Sequence, residues 1–165
     1  KMIDYKIIET DEQMMVCNKL ADEIWREHFV PIIGRTQVEY MLRSLQSAQA
    51  IKSQIEVAGY RYYLIYFDGE LVGYTAIVPR GTELFLSKIY LASKARRKGL
   101  GRATIQYVKT VAHELHCDII TLTVNKHNSI AIEFYERNGF KNVGSIVQDI
   151  GEGFVMDDYQ FALKI

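Results

Sequence analysis

A short basic loop that follows an apolar run contains the residues of this chain best suited to bind phosphate. The loop reads RRKGLG at 96–101, and the apolar run ends at Leu91. Apolar residues then recur at helical spacing, which predicts a helix that begins near Leu100. The first N–H groups of a helix lack partners within it, the helix dipole favours negative charge there, and glycine lets the backbone approach an anion. The sequence therefore predicts a ligand that carries phosphate.

The spacing of the two glycines argues against two common phosphate-binding motifs. A P-loop continues from its second glycine into Lys and then Ser or Thr, whereas Gly101 is followed by Arg102 and Ala103. A dinucleotide-binding fingerprint needs three glycines, and this segment has two. Neither motif is therefore present in this segment.

Two segments together resemble the GCN5-related N-acetyltransferase (GNAT) family. Arg96, Gly99 and Gly101 occupy the positions of the Arg/Gln-x-x-Gly-x-Gly/Ala signature with which that family binds the pyrophosphate of acyl-coenzyme A. A second apolar run is followed by NKHNSIAIEFYERNGF at 125–140, which is similar to the family's other cofactor segment. Both segments occur in the family's order, and the resemblance extends from about residue 60 to residue 165.

The elements that must position these residues are predicted in the order β-αα-βββ-α-β-α-ββ. This is the order of the GNAT fold, an α/β (α+β) architecture with a mixed, mostly antiparallel central sheet of about seven strands flanked on both faces by four helices. The first predicted helix starts at Asp11 and is broken by Phe29–Gly34, and the second has apolar positions from Val38 to Ile55. Asp68-Gly69 predicts a hairpin turn. We expect residues 1–165 to form one N-acetyltransferase domain.

The composition limits the classes of partner and of site. Lys plus Arg and Asp plus Glu each total 20, which argues against nucleic acid or an anionic membrane as the main partner. The absence of a long apolar stretch or signal-peptide pattern predicts a cytoplasmic protein. We expect a monomer or a homodimer. Cys17 and Cys117 are isolated and could be two buried free thiols or one disulfide. The four histidines lack ligand spacing, so we expect no metal.

The resemblance implies that acetyl-CoA is the co-substrate. In the family its pantetheine arm lies between the strands that here end at Leu91 and Val124, and backbone groups of the first strand hold it. The residues expected to bind acetyl-CoA are Ile89, Tyr90, Leu91, Arg96, Arg97, Lys98, Gly99, Leu100, Gly101, Arg102, Asn128 and Tyr135.

Acetyl transfer also needs groups that move protons. Tyr135 matches the family tyrosine next to the thioester sulfur, which implies that its phenol protonates the departing thiolate, although packing alone would also explain it. We expect Glu83 to be the general base. It lies two residues before the position we would align, which holds Phe85, and a shift of two keeps the same sheet face. Its rivals are Glu27, His28, Asp157, Asp158 and solvent.

The acceptor is expected to bind over the segments Phe29–Tyr40 and Gly151–Tyr159. Both combine aromatic and acidic residues, which suits a cation with an apolar body. The predicted function is acetyl transfer from acetyl-CoA to a primary amine of a small molecule or peptide, by direct attack in a ternary complex. The alternative is a coenzyme A-binding sensor or scaffold without turnover.

Overall fold

In a computed structural model, residues 2–165 are described, and they form five α-helices and seven β-strands. The helices are α1 (Asp11–Ile33), α2 (Arg35–Leu45), α3 (Ala48–Val57), α4 (Leu100–Glu114) and α5 (Ser129–Arg137). The strands are β1 (Ile3–Ile7), β2 (Arg61–Phe67), β3 (Glu70–Arg80), β4 (Glu83–Leu91), β5 (Ile119–Asn125), β6 (Lys141–Gly151) and β7 (Phe154–Lys164). The strands belong to one hydrogen-bonded sheet.

The chain divides into two compact units that share strand β4. The first unit comprises the residues through Val78 together with Lys88–Thr104, and its strand order is β1-β2-β3-β4. The second unit comprises Pro79–Ser87 and Ile105–Ile165, and its strand order is β4-β5-β7-β6. Pairing is parallel between β4 and β5 and antiparallel in β1–β2, β2–β3, β5–β7 and β6–β7. The predicted mixed, mostly antiparallel fold is confirmed.

Helix α1 is defined by a cap at its start and an apolar stripe along its length. The Thr10 side chain accepts from Gln13 N, while the Gln13 side chain accepts from Thr10 N, so two donors at the helix start are satisfied reciprocally. The residues that α1 buries are Met14, Cys17, Leu20, Ala21, Ile24 and Trp25. This stripe recurs every three or four residues, as the sequence predicts.

The predicted break at Phe29–Gly34 is wrong, because α1 continues through Pro31 to Ile33. Proline removes one backbone donor. Because Pro31 lies near the C-terminus of α1, this loss affects a single turn and not the whole helix. The helix ends where Gly34 adopts a φ of 86° and donates to Val30 O. Glycine tolerates such a positive φ without a steric penalty.

The prediction of four helices is also corrected, because the second predicted helix is two. Helix α2 ends before Gln46, and the Ser47 side chain accepts from Ala50 N at the start of α3. Ser is a strong N-cap residue, since its oxygen satisfies a donor that the helix leaves unpaired. The apolar periodicity across both helices hides this interruption.

The second unit has a β-hairpin at its C-terminal end. Strands β6 and β7 pair from Lys141↔Ala162 to Gly151↔Phe154, and β7 also pairs with β5 from Ile119↔Lys164 to Asn125↔Asp158. Along β5, the side chains of Ile120, Leu122 and Val124 are buried, and those between them are half-buried. Strand β5 therefore has one apolar face and one more polar face.

Three smaller predictions are tested by the described residues. Asp68 (φ 49°) and Gly69 (φ 81°) form the predicted turn between β2 and β3. Cys17 and Cys117 are both buried and free, so the free-thiol alternative is confirmed and the disulfide is wrong. Within residues 2–165, no helix combines the length and the hydropathy needed to span a bilayer.

Candidate active site

The predicted phosphate loop joins β4 to α4 in the first unit. It begins with a 3₁₀ turn at Ser93–Ala95 and continues through Arg97 (φ 62°) and Gly99 (φ 75°) to the first residue of α4, Leu100. A Cβ built on Gly99 meets no other described residue within 4 Å. The backbone at Gly99 is therefore open to an approaching anion at the N-terminus of a 15-residue helix.

An apolar cluster holds the loop in position. Leu100 is 1% exposed and packs with Ile65, Val72 and Ala95. The Thr104 hydroxyl, one turn further along α4, hydrogen-bonds Leu100 O at 2.8 Å. The cations predicted to attract phosphate, Arg97, Lys98 and Arg102, are exposed. A backbone held by apolar packing with exposed cations around it suits a phosphate ligand.

Arg96 has a connection that the sequence does not reveal. Its Nη1 lies 3.1 Å from Glu27 Oε1 on α1, and its Nε donates to Leu91 O at 3.3 Å. The side chain therefore links the end of α1 to the end of β4. Its predicted contact with the cofactor stays a prediction.

Strand β3 fixes the part of β4 that is predicted to hold the pantetheine arm. A Cβ on Gly73 would clash with Tyr90 O and would lie 3.2 Å from Leu91 Cα. The Thr75 hydroxyl donates to Lys88 O at 2.7 Å, and Ala92 N donates to Val72 O at 2.8 Å. The backbone of Ile89–Leu91 is thus held against a strand that has glycine where no side chain fits.

Aromatic side chains join α1 to the same part of β4. The Tyr90 ring centroid lies 5.5 Å from both Trp25 and Tyr74 and 5.7 Å from Phe29. Trp25 Nε1 donates to the Tyr74 hydroxyl at 2.8 Å, which in turn donates to Gln46 Oε1 at 2.7 Å. Phe29, from the predicted acceptor segment, therefore contacts Tyr90, from the predicted cofactor strand. Sequence periodicity places Trp25 in the core but does not indicate this cluster.

Lys88 is a half-buried residue that the sequence analysis missed. Its Nζ lies 5.4 Å from the Tyr60 ring centroid and 5.7 Å from that of Tyr62. Burial lowers the pKa of Lys88 to about 8, and burial raises the pKa of the neighbouring Cys17 thiol to about 12. An alternating strand pattern gives no signal for such a residue, because a lysine is usually assigned to the exposed face.

Several residues in or next to the predicted acceptor segments contact other side chains. The His28 and Phe29 ring centroids are 4.8 Å apart, and Glu39 Oε1 lies 3.3 Å from Arg26 Nη1. In the second segment, Lys126 Nζ lies 5.4 Å from the Tyr159 ring centroid. Glu39 is therefore part of a surface ion pair in this structure.

Asn128 uses its side chain to begin α5. Its Oδ1 accepts from Ala131 N at 3.3 Å, which is the capping role, and the residue is buried. Its Nδ2 group makes no hydrogen bond within the described part of the chain. Asn128 can therefore cap the helix and donate to a ligand at the same time.

Tyr135 lies on the buried side of α5, with 9% of its surface exposed. Its ring packs edge-on against Phe134 at 5.3 Å and Phe140 at 5.5 Å. Burial raises the pKa of Tyr135, and its hydroxyl has no hydrogen-bond partner among residues 2–165. The phenol is thus protonated near neutral pH and has a proton to donate. Ile130, which the apolar spacing of α5 groups with it, is exposed instead.

Two carboxylates of the second unit lie beside β5. Glu83 Oε2 accepts from the Thr121 hydroxyl at 2.7 Å. Asp158 of β7 is paired in register with Asn125 of β5. Glu83 lies at the start of β4, where that strand pairs with β5, and its role as general base stays a prediction.

Asp158 is the more unusual of the two. It is 1% exposed, and its Oδ1 has no hydrogen-bond partner in the described chain. Burial, and then the adjacent charge of Asp157, raises the pKa of Asp158 to about 6. Asp157 itself lies near Lys126, with 3.0 Å between Oδ1 and Nζ but without hydrogen-bond geometry.

Within residues 2–165, no three His, Cys, Asp or Glu side chains are grouped so that they could hold a metal ion.

Comparisons with known proteins all point to one family. The model of the acetyltransferase (GNAT) family matches residues 18–140. The chain is 37% identical over 82 residues to peptidyl-lysine N-acetyltransferase YiaC of Escherichia coli K12, and the match covers 50% of this chain and 51% of that protein. It is 21% identical over 151 residues to spermidine N(1)-acetyltransferase of Thermoplasma acidophilum, covering 88% and 91%. The chain thus spans about half the length of the first relative and most of the second.

Solved structures show the same fold. The PaiA N-acetyltransferase of Thermoplasma acidophilum in complex with coenzyme A has a TM-score of 0.77 and 19% identity, with both chains covered in full. The ribosomal-protein-S18-alanine N-acetyltransferase of Escherichia coli has a TM-score of 0.72 and 19% identity, covering 99% of this chain and 94% of that one.

Proposed function

Since the chain belongs to the acetyltransferase (GNAT) family, we propose that it transfers the acetyl group of acetyl-CoA to a primary amine of a small molecule or peptide. The amine attacks directly while both substrates are bound. The resemblance read from residues 96–101 and 125–140 is confirmed at the level of the family. We further propose that residues 1–165 act as one catalytic domain.

The observation that supports this proposal most directly is the phosphate loop. The positive φ and the empty space at Gly99 allow close approach of an anion, and Leu100 holds the loop on an apolar base. The first N–H groups of α4 and the side chains of Arg97 and Lys98 would bind the pyrophosphate of coenzyme A. The unused amide of Asn128 is suited to a carbonyl of the pantetheine arm.

Acetyl-CoA would supply an activated acyl group and a thiolate leaving group. Tyr135 is the proposed donor of the proton that the thiolate takes up. Its phenol is held in position by Phe134 and Phe140, and its hydroxyl is engaged by no other described side chain. Backbone groups of Ile89–Leu91 would hold the arm, and their fixed position beside β3 would supply part of the rate enhancement.

The acceptor is proposed to present a charged amine on an apolar body. Phe29, in one predicted acceptor segment, packs on Tyr90 of the strand assigned to the cofactor. Asp157 and Asp158, in the other segment, supply negative charge. The two relatives described above are named for peptidyl lysine and spermidine, which both carry primary ammonium groups.

Thiol release on mixing the protein with acetyl-CoA and a panel of amines tests this function. The panel should include diamines and polyamines, lysine peptides and peptides with free N-termini, and acetylated products should be identified by mass. Release that depends on one class of amine would support the proposal and name the acceptor. Coenzyme A binding without thiol release from any amine would contradict turnover.

A further inference from the structure

Tyr74 on β3 is a fully buried residue whose hydroxyl group is hydrogen-bonded in both directions. The hydroxyl accepts a hydrogen bond from Trp25 Nε1 at 2.8 Å and donates one to Gln46 Oε1 at 2.7 Å. Tyr74 and Gln46 are 0% exposed, and Trp25 is 3% exposed. Because a buried polar group without a partner costs free energy, the three side chains restrict one another's orientation.

Gln46 is the end of this chain of hydrogen bonds that is held by the helices. It follows α2 directly, and its backbone O accepts from Asn18 Nδ2 of α1 at 2.8 Å. Its Nε2 donates to Leu45 O at 2.6 Å and to the Tyr62 hydroxyl at 3.1 Å. Both the backbone and the side chain of Gln46 are thus held, so the junction between α2 and α3 restrains the Tyr74 hydroxyl.

The other end of the chain contacts two rings that are not fully buried. The Trp25 ring centroid lies 5.1 Å from that of Phe29, one turn further along α1, and 5.5 Å from that of Tyr90 on β4. Phe29 and Tyr90 are half-buried, and their rings meet edge to face at 5.7 Å. All of these residues belong to the first unit. Trp25 therefore connects the buried hydrogen bonds to the apolar surface of Phe29 and Tyr90, which we call the aromatic wall.

The backbone of β4 is held by different contacts from those that hold the aromatic wall. Two hydrogen bonds with β3, at 2.7 and 2.8 Å, hold the β4 backbone just before and just after Ile89–Leu91. Neither of these bonds uses the Tyr74 hydroxyl. Loss of that hydroxyl should therefore disturb the side chains of the wall more than the strand proposed to hold the pantetheine arm.

We propose that Tyr74 is a positioning residue for the acceptor, because it holds Trp25 so that the aromatic wall packs against an apolar body next to the acceptor's amine. This inference rests on the proposed acetyltransferase function, and it names the acceptor class as primary amines attached to an apolar chain or ring. A wall that is already ordered loses less conformational entropy when the acceptor binds. Tyr74 acts through Trp25 and does not itself touch the acceptor.

Steady-state kinetics of Tyr74→Phe, with an amine that the wild type accepts, test this role. The variant keeps the ring but leaves Trp25 Nε1 without its acceptor, so the wall is no longer held. We expect the amine KM to rise at least about fivefold, while the acetyl-CoA KM stays within about twofold and kcat changes less than the amine KM. The rise should diminish as the apolar body of the amine is shortened, because less apolar surface then contacts the wall.

Tyr62→Phe is the matched control. Tyr62 is also 0% exposed, and its hydroxyl also accepts one hydrogen bond, from Gln46 Nε2, and donates one, to Gln54 Oε1 on α3. Both Phe variants therefore remove two buried hydrogen bonds and should lose similar free energies of unfolding, as measured with urea. Only Tyr74→Phe breaks the bond to the residue that supports the wall, so only it should raise the amine KM.

Trp25→Phe removes the donor of the same hydrogen bond and should also raise the amine KM. Adding Tyr74→Phe to this variant should change the amine KM by less than it does in the wild type, because the bond is already lost. If Tyr74→Phe does not fold, Trp25→Phe decides the question, and an unchanged amine KM in that variant would overturn the inference.

Three further outcomes would overturn the inference. An equal rise of the amine KM in Tyr62→Phe would make the role of Tyr74 purely structural. A parallel rise of the acetyl-CoA KM in Tyr74→Phe would assign it to the cofactor strand, and a rise that does not depend on the apolar body would remove the wall from the acceptor site. All of these require an active wild type, so they leave the proposed function standing. A wild-type protein that acetylates no amine overturns the proposed function and this inference with it.

Discussion

Glu27 on helix α1 and Arg96 in the phosphate loop form an ion pair, with 3.1 Å between Oε1 and Nη1. Since Arg96 also donates to Leu91 O, one side chain contacts a helix next to the predicted acceptor segment and the strand predicted to hold the cofactor. The arginine that the family signature associates with pyrophosphate is thus used in the protein itself to connect secondary-structure elements.

We expect Arg96→Ala to weaken acetyl-CoA binding by less than tenfold, because the backbone donors of the loop remain. Glu27→Gln should leave acetyl-CoA affinity unchanged or higher, since it frees the guanidinium. Both pair members are well exposed, so either change should alter the free energy of unfolding by about 1 kcal/mol or less. Calorimetric titration and urea unfolding measure both effects. A loss in Arg96→Ala larger than in the Gly99 variant below would show that the guanidinium is the main phosphate ligand.

Gly99→Val should raise the acetyl-CoA dissociation constant at least tenfold, because its side chain would occupy the space through which the anion approaches. Gly59→Val is the matched control, since Gly59 has a φ of 77° against 75° and the same open surroundings. Both variants place a side chain at positive φ and should lose roughly 1–2 kcal/mol of stability. Equal acetyl-CoA affinity in the two folded variants would refute the phosphate-loop assignment.

Tyr135→Phe should lower kcat well over tenfold and leave acetyl-CoA affinity nearly unchanged. The substitution removes only the hydroxyl, and loss of a general acid typically costs about 10²–10⁴ in rate. Tyr66→Phe, on β2, controls for the loss of a phenol elsewhere. Parallel losses of kcat and cofactor affinity would instead indicate that Tyr135 has a packing role.

Gly73→Ala should displace part of β4, the strand proposed to hold the pantetheine arm, although Gly73 itself is not proposed to contact the cofactor. The added methyl group would press on Tyr90 O and Leu91, so β4 must shift or the sheet must strain. We expect a loss of roughly 1–3 kcal/mol in stability together with weaker acetyl-CoA binding. Alanine at Gly81, where the surroundings are open, should cost stability through its φ of 64° but spare binding. Unaltered affinity in Gly73→Ala would mean that Ile89–Leu91 do not hold the arm.

Asp158→Asn should change stability in a pH-dependent way. The folded-state pKa of about 6 lies above the ordinary value of 3.8, so the folded protein holds the proton more tightly than the unfolded chain. Stability from this group is therefore full below about pH 4, falls as the pH rises to about 6, and is lower by roughly 3 kcal/mol above that.

The Asn variant should equal wild type near pH 4 and exceed it at pH 7, as measured by urea unfolding across this range. Asp4→Asn should show no such divergence. A variant less stable than wild type at pH 7 would show that the Asp158 charge stabilises the fold.

Much of the fold could be predicted from the sequence because its signals are local. The stripe from Cys17 to Trp25, the turn at Asp68-Gly69 and the helix that begins at Leu100 each depend on periodicity or turn chemistry within a few residues. The interruption at Ser47 was missed because apolar spacing continues across it, and the break at Pro31 was misjudged because the proline lies near the end of its helix.

The site residues also differ in how far the sequence predicts them: local motifs are predictable, and contacts between distant residues are not. The loop at 96–101 and Tyr135 are motif residues, whereas the Glu27–Arg96 pair and the Thr121–Glu83 hydrogen bond join residues far apart in sequence. Sequence spacing contains no information about such partners. Lys88 was missed for a related reason, since its neighbours Tyr60, Tyr62 and Cys17 belong to α1 and to the segment at the start of β2.

If Asn128 binds coenzyme A as proposed, its side chain meets two requirements, and a library randomised at this position would separate them. Aspartate caps helices as well as asparagine does, so a screen for soluble, folded protein would retain it. It has no amide to replace the Nδ2 donor, and a screen on immobilised coenzyme A would discard it. Selection for folding alone would therefore retain variants that fold but no longer bind coenzyme A.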